Sequence, residues 1–189
     1  MHAIGRIDEE RLKLIPMKYR NAHEFSFFLH DRLVDLLGEF ESKGFHNIVE
    51  NSICTEFGGR EKVFEGMDIL GFLKKKASLN PLYMQHVNSH LVLALTSDML
   101  HFLYESLTCF EKRKFTVGFA LLRKPLKENL LFLSWLLADQ NDFITRFEAN
   151  NFETLHGVPK DKKIEIFNKA IHSLSYPIQK HSTLSLSGR

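Results

Sequence analysis

The sequence predicts an all-α protein, a bundle of four to six helices around one central apolar helix at about residues 114–138. Apolar residues recur at three- and four-residue steps along most of the chain, which is the spacing of one face of an α-helix. Residues 130–137 are apolar on every side of a helix, and such a helix is normally enclosed by other helices. Short connections between the long periodic segments favour a bundle.

The N-terminal half begins with a charged lead-in segment, residues 1–16, which ends at Pro16. A helix is predicted from residue 17 to about 42, and Gly44 is its predicted stop. Residues 44–60 fit a short helix or a strand. A weaker helix follows from 60 to about 77 and ends in Lys74–Lys76, where cations suit the negative end of the helix dipole.

The C-terminal half contains the clearest elements. Asn80-Pro81 begins a helix that extends to about residue 112, because Asn caps helices well and Pro is favoured in the first turn. A second long helix covers 114–138, and Pro125 inside it predicts a kink, since proline has no N–H to donate. A short helix is predicted at 139–150, and a last one from 160 to about 175 is expected to end at Pro177. Its inward residues are predicted to be Ile164, Phe167, Ala170, Ile171 and Leu174.

These elements predict a single bundle domain at 17–176 and a flexible tail at 177–189. The net charge of +2 is a weak basic excess, and the two cysteines, Cys54 and Cys109, are too few for a disulfide framework. The first twenty residues lack the apolar core of a signal peptide, and no apolar run approaches the roughly 20 residues needed to span a bilayer. We therefore expect a cytoplasmic protein with no membrane association.

A histidine-rich face on the 81–112 helix is the first candidate site. At 100° per residue, His86, His90 and His101 fall on one polar side. His86 and His90 lie one turn apart, as two ligands of a metal ion do. His101 is about 16 Å further along, too far to share that ion. The alternative is a solvated face that contains histidines, and no HExxH motif, P-loop or G-x-S-x-G motif accompanies it. The sequence predicts no cofactor.

A charged group around Pro125 is the second candidate: Arg123, Lys124, Lys127 and Glu128. One hypothesis is an ion-pair network in which Arg123 and Glu128, joined by Asp139 and Arg146, tie two helices together. The other is an anion or phosphate site that uses Arg123 and Lys127, with Glu128 beside them. Three basic clusters, Lys74–Lys76, Lys112–Lys114 and Lys160–Lys163, leave nucleic-acid binding as a further possibility.

Residues 115–150 contain Arg123 followed by Glu128 on the long helix, an acidic break at Asp139, and Arg146-Phe147 in the next element. This pattern resembles uncharacterised bacterial all-helical proteins, some of them near the HEPN ribonuclease class. The resemblance implies a ribonuclease or a component of a defence system, with Arg123, Glu128 and Arg146 as the catalytic candidates. The signature of the HEPN class is an Arg followed four to six residues later by His, and no Arg in this chain meets it.

Long amphipathic helices without an assembled catalytic motif favour a non-enzymatic interaction or scaffold protein of bacterial type. We expect it to bind a protein partner or to self-associate, with a homodimer as one form of self-association. The alternatives are a divergent HEPN-like ribonuclease and a metal-binding bundle that uses His86 and His90.

Overall fold

The computed structural model describes residues 7–44, 51–52, 54–55, 68–76, 79–150 and 157–184. Every regular element in these ranges is helical and none is a strand, which confirms the all-α class. The elements in chain order are α1 (Glu9–Leu12), a 3-10 turn (Met17–Tyr19), α2 (Arg20–Ser42), α3 (Ile69–Lys75), α4 (Asn80–Glu111), α5 (Phe115–Lys124), a π-helical segment (Pro125–Asn129), α6 (Leu130–Ala138), α7 (Gln140–Asn150) and α8 (Lys160–Leu184).

The chain divides into two compact units, residues 1–100 and 101–189. The division falls within α4, and the expected single domain at 17–176 stays a prediction. Of the ambiguous segment 44–60, residues 51, 52, 54 and 55 are helical, and 45–50, 53 and 56–60 lie outside the described residues. The predicted helix at 60–77 is described only from residue 68 to 76.

In the N-terminal unit, α2 ends where the sequence predicts. Gly44 has a φ of 66°, a left-handed conformation that glycine adopts without steric cost, and its N–H donates to the carbonyl of Glu41 at 3.1 Å. The N-terminus of α3 is capped by Asp68, whose Oδ1 accepts from the N–H of Gly71 at 2.9 Å. A small core joins α3 to the start of α4 through the buried residues Leu73, Leu79 and Tyr83.

In the C-terminal unit, three residues turn the chain from α4 into α5. Arg113 has a φ of 56°, the left-handed conformation that follows many helices and is usually taken by glycine. The N–H of Lys114 donates to the carbonyl of Cys109 at 2.8 Å, and the N–H of Arg113 donates to that of Phe110 at 3.0 Å. These two bonds form a Schellman motif, which satisfies carbonyls that the end of α4 would otherwise leave unpaired.

Helix α5 returns along the end of α4 at close range. The buried hydroxyl of Ser106 donates to the carbonyl of Gly118 at 2.8 Å. A Cβ at residue 118 would lie 2.5 Å from Cε1 of Phe110, so the helices pack this closely only because residue 118 is glycine. The sequence contains no local sign of this contact, since it joins residues of two different helices.

The predicted helix at 114–138 is one helical segment in three parts. At Pro125 the hydrogen-bond pattern changes from α to π, and the N–H of Leu130 donates to the carbonyl of Pro125, five residues earlier. The expected kink at Pro125 is thus a π-helical turn. Proline cannot donate to the preceding turn, and widening the helix by one residue lets the bonded pattern resume beyond it.

Helix α6 packs against α7 and α8, and Leu131, Phe132, Trp135 and Leu136 are buried. The prediction that α6 is enclosed on every side is wrong, because Leu130 and Leu137 remain 42% and 49% exposed. A uniformly apolar run does not reveal which of its sides is covered.

The inward face of α8 agrees with the prediction at Ala170, which is buried, and at Phe167, which is half-buried, but differs at the other three predicted positions. Ile166 and Ala170, one turn apart, are buried, whereas Ile164, Ile171 and Leu174 are exposed. The helix has apolar residues on two sides, and packing covers only one of them. Its backbone continues through Pro177 to Leu184, so the predicted end of the helix at Pro177 is wrong. A proline inside a helix removes one hydrogen bond but does not always end the helix.

Candidate functional site

The candidate anion site lies at the junction of α5 and the π-helical segment. Arg123 and Lys127 are exposed, and Glu128 is half-buried. None of the three side chains forms an ion pair or hydrogen bond with another residue that the structure describes. The predicted ion pair between Arg123 and Glu128 is therefore absent from this part of the chain. Of the predicted site, two exposed cations, Arg123 and Lys127, lie one turn apart.

Arg146 belongs to a different cluster, formed by α6 and α7. Its Nε donates to Oδ1 of Asp142 at 3.0 Å, and its guanidinium carbon lies 5.5 Å from the ring centroid of Trp135. The buried Trp135 donates from Nε1 to Oδ2 of the same carboxylate at 3.0 Å. Among the described residues, Asp139 forms no ion pair. Its Oδ1 instead accepts the N–H of Asp142 and caps the start of α7.

Opposing effects act on the carboxyl group of Asp142. Partial burial raises its pKa, but the hydrogen bond and positive charge of Arg146, the Trp135 N–H and the nearby charge of Lys162 together hold the pKa below its ordinary value. Asp142 is thus an anion with both oxygens occupied by donors. This arrangement ties α7 to α6, and its contacts do not bring Arg146 together with Arg123 or Glu128.

The two candidate metal-binding histidines are neighbours on α4. The ring centroids of His86 and His90 are 4.1 Å apart. Nδ1 of His90 lies 2.9 Å from the backbone carbonyl of His86, and because a carbonyl can only accept, this hydrogen bond requires a proton on Nδ1. Such a bond orients many metal-binding histidines. Among the residues described, no group of three or more His, Cys, Asp or Glu is placed to hold a metal ion.

The basic clusters do not have the same surroundings. Lys74 and Lys76 lie over the rings of Tyr83 and Phe72, at 5.8 and 6.0 Å from the ring centroids. Lys162 lies 3.4 Å from the carboxylate of Glu165 on its own helix. These cations have local partners, and nucleic-acid binding stays a prediction.

A row of exposed apolar side chains, the α5–α6 stripe, was not predicted as a site. It follows one side of the helical segment from α5 to α6, with exposed fractions of 52% for Phe115, 63% for Phe119, 56% for Leu126, 42% for Leu130 and 49% for Leu137. The half-buried Leu122 and Leu133 lie between them. The signal was present in the three- and four-residue spacing, but the same spacing also describes a buried face.

Comparison of the chain with protein-family models, with curated proteins and with solved structures finds no match. Within the ranges that the structure describes, no helix is both long enough and apolar enough to cross a membrane.

Proposed function

We propose that this protein is a helical interaction module that binds a protein partner through the α5–α6 stripe. The five exposed residues of the stripe, about half accessible each, present on the order of 500 Å² of apolar surface. The largest apolar patch on an ordinary monomer is about 300–600 Å² and is often functional. A standard interface covers about 800 Å² per partner, so the stripe would form its apolar centre and polar neighbours its rim.

The test compares two substitutions on the same helical segment. Leu126→Glu places a charge within the stripe, and Val117→Glu places the same charge on another side of α5 at a residue that is 50% exposed. We expect Leu126→Glu to weaken a complex at least tenfold and Val117→Glu to leave it unchanged, with equal helix content by circular dichroism for both. Light scattering detects self-association, and quantitative co-purification from the cells that make the protein detects a different partner.

Two outcomes refute this proposal. One is a protein that is monomeric at all concentrations and co-purifies with nothing. The other is a complex that both substitutions affect equally, because binding would then not depend on the stripe.

The orientation of His90 supports a second proposal, that His86 and His90 bind a transition-metal ion. Two imidazoles one turn apart supply nitrogen ligands, and further ligands would come from water or a partner. Calorimetric titration with Zn²⁺ should show one site per chain that His90→Ala removes and His101→Ala, an exposed residue of the same helix, retains. Equal binding by the two variants, or no binding by the native chain, excludes the site.

A further inference from the structure

The exposed charged residues from 112 to 138, which include the α5–α6 stripe, have one sign. Exposed cations occupy five positions on or before this helical segment: Lys112, Arg113, Lys114, Arg123 and Lys127. The only acidic residues between 111 and 138 are Glu111, which is buried, and Glu128, which is half-buried. None of the five cations forms a side-chain ion pair or hydrogen bond with another residue that the structure describes.

Two of these cations lie directly beside the centre of the stripe. Arg123 follows Leu122, and Lys127 follows Leu126. Each cation is therefore rotated about 100° around the helix from a residue of the apolar row. Residues four apart share one face of a helix, and the π-helical turn shifts this spacing only slightly. Arg123 and Lys127 therefore form a positively charged border along one edge of the apolar row.

A second copy of this chain does not complement that border. Any pairing of two identical stripes brings net positive charge against net positive charge, and the desolvation of an apolar contact reduces the screening between them. A partner with acidic residues beside its own apolar row would instead form charge-assisted contacts at the edge of the interface.

We propose that the occupant of the α5–α6 stripe is an amphipathic helix of another protein, with aliphatic residues on one face and acidic residues beside them. This inference rests on the proposed function and specifies its partner. From Phe115 to Leu137 the stripe is about 33 Å long at the rise of an α-helix, so it accommodates a partner helix of about six turns. Helix-on-helix recognition of this kind uses anchors three and four residues apart.

The experiment uses two synthetic 22-residue helical peptides labelled with a fluorophore. Both carry leucine at the a and d positions of each heptad, and their e and g positions are all glutamate in one and all lysine in the other. Fluorescence anisotropy with the full-length chain should show at least tenfold tighter binding of the glutamate peptide, and this preference should shrink as salt is raised. Leu126→Glu should abolish binding of both peptides.

A double substitution tests the charged border. Arg123→Glu with Lys127→Glu should remove or reverse the preference for the glutamate peptide. The control, Lys13→Glu with Lys75→Glu, changes the net charge equally at exposed residues outside the stripe and should retain the preference.

Three results overturn the inference. The first is equal binding of both peptides by the native chain, and the second is the same peptide preference in both double variants. The third is binding of the native chain to vesicles of anionic phospholipid and to neither peptide. If neither peptide binds but a native complex remains sensitive to Leu126→Glu, the proposed function stands and the acidic helix is wrong. If Leu126→Glu has no effect in any assay, the proposed function and the acidic-helix partner are both wrong.

Discussion

Replacing Gly118 by alanine tests how closely α5 packs against α4. The added Cβ would lie 2.5 Å from Cε1 and 2.7 Å from Cδ1 of Phe110, well inside the contact distance of two carbon atoms. Phe115 and Phe119 contact the ring of Phe110 at centroid distances of 6.4 and 5.1 Å, so moving this ring disturbs both contacts. The methyl group therefore has to displace either this aromatic cluster or the backbone of α5.

Two opposing effects set the size of the change. Alanine is more favourable than glycine inside a helix by about 1 kcal/mol. Forcing an extra carbon into a packed interior costs about 1–3 kcal/mol. The added carbon would overlap two ring atoms of Phe110, a side chain that already contacts two other rings, which favours the upper part of that range. We expect Gly118→Ala to lower the free energy of unfolding by about 1–2 kcal/mol.

The measurement is urea unfolding followed by circular dichroism, with Gly38→Ala as the matched control. Residue 38 lies within α2, and a Cβ there meets no atom within 4 Å. Gly38→Ala should raise the free energy of unfolding by up to about 1 kcal/mol through helix propensity alone. The steric reasoning is refuted if Gly118→Ala stabilises the protein as much as Gly38→Ala does.

Three further predictions concern the same C-terminal unit. Asp142→Asn should lower the free energy of unfolding by about 1–2 kcal/mol at neutral pH, since a charge-assisted bond to Trp135 is lost. In the native chain the pKa of Asp142 is lowered, so the ionised carboxylate stabilises the fold above about pH 3.8, and this stabilisation is lost as the pH falls through the pKa of the folded state. Acid titration followed by the fluorescence of the single tryptophan should therefore show a step that Asp142→Asn lacks. Arg113→Gly should raise the free energy of unfolding by about 1 kcal/mol or less, because glycine adopts the left-handed conformation without strain. Thermal unfolding should show this as a higher midpoint temperature, and an unchanged or lower midpoint would contradict it. Ser106→Ala should cost about 0.5–1.5 kcal/mol in urea unfolding through the lost bond to Gly118, and no cost would show that the hydroxyl is dispensable.

The sequence predicts most helix limits because their signals are local. Helix α4 begins at Asn80, within one residue of the start that Asn80-Pro81 predicts, and Gly44 marks the end of α2 through its backbone freedom. The pair of Asp142 and Arg146 was open to prediction in the same way, since opposite charges four residues apart meet on a helix.

The features that sequence reasoning missed depend on contacts between distant residues. From the local sequence, Gly118 is only a residue that disfavours a helix. The requirement for glycine becomes evident from the contact with Phe110 on the preceding helix. Leu130 and Leu137 are chemically identical to the buried leucines between them, so periodicity does not distinguish the covered side of α6 from the exposed one. The binding candidates Arg123 and Lys127 were found from residue type, but their place beside an apolar row depends on that exposure.

The π-helical segment also determines where this helix can tolerate the deletion of one residue. A turn closed by i→i+5 bonds holds one residue more than an α-turn, and it advances the backbone by almost the same rotation. Loss of one residue between Pro125 and Asn129 would convert this turn to an ordinary α-turn while α5 and α6 keep their faces in phase. The same loss inside α6 would rotate every later residue by about 100° and move Trp135 out of the core. The segment is thus the one point along this helix where the chain can lose a residue without exchanging its inner and outer surfaces.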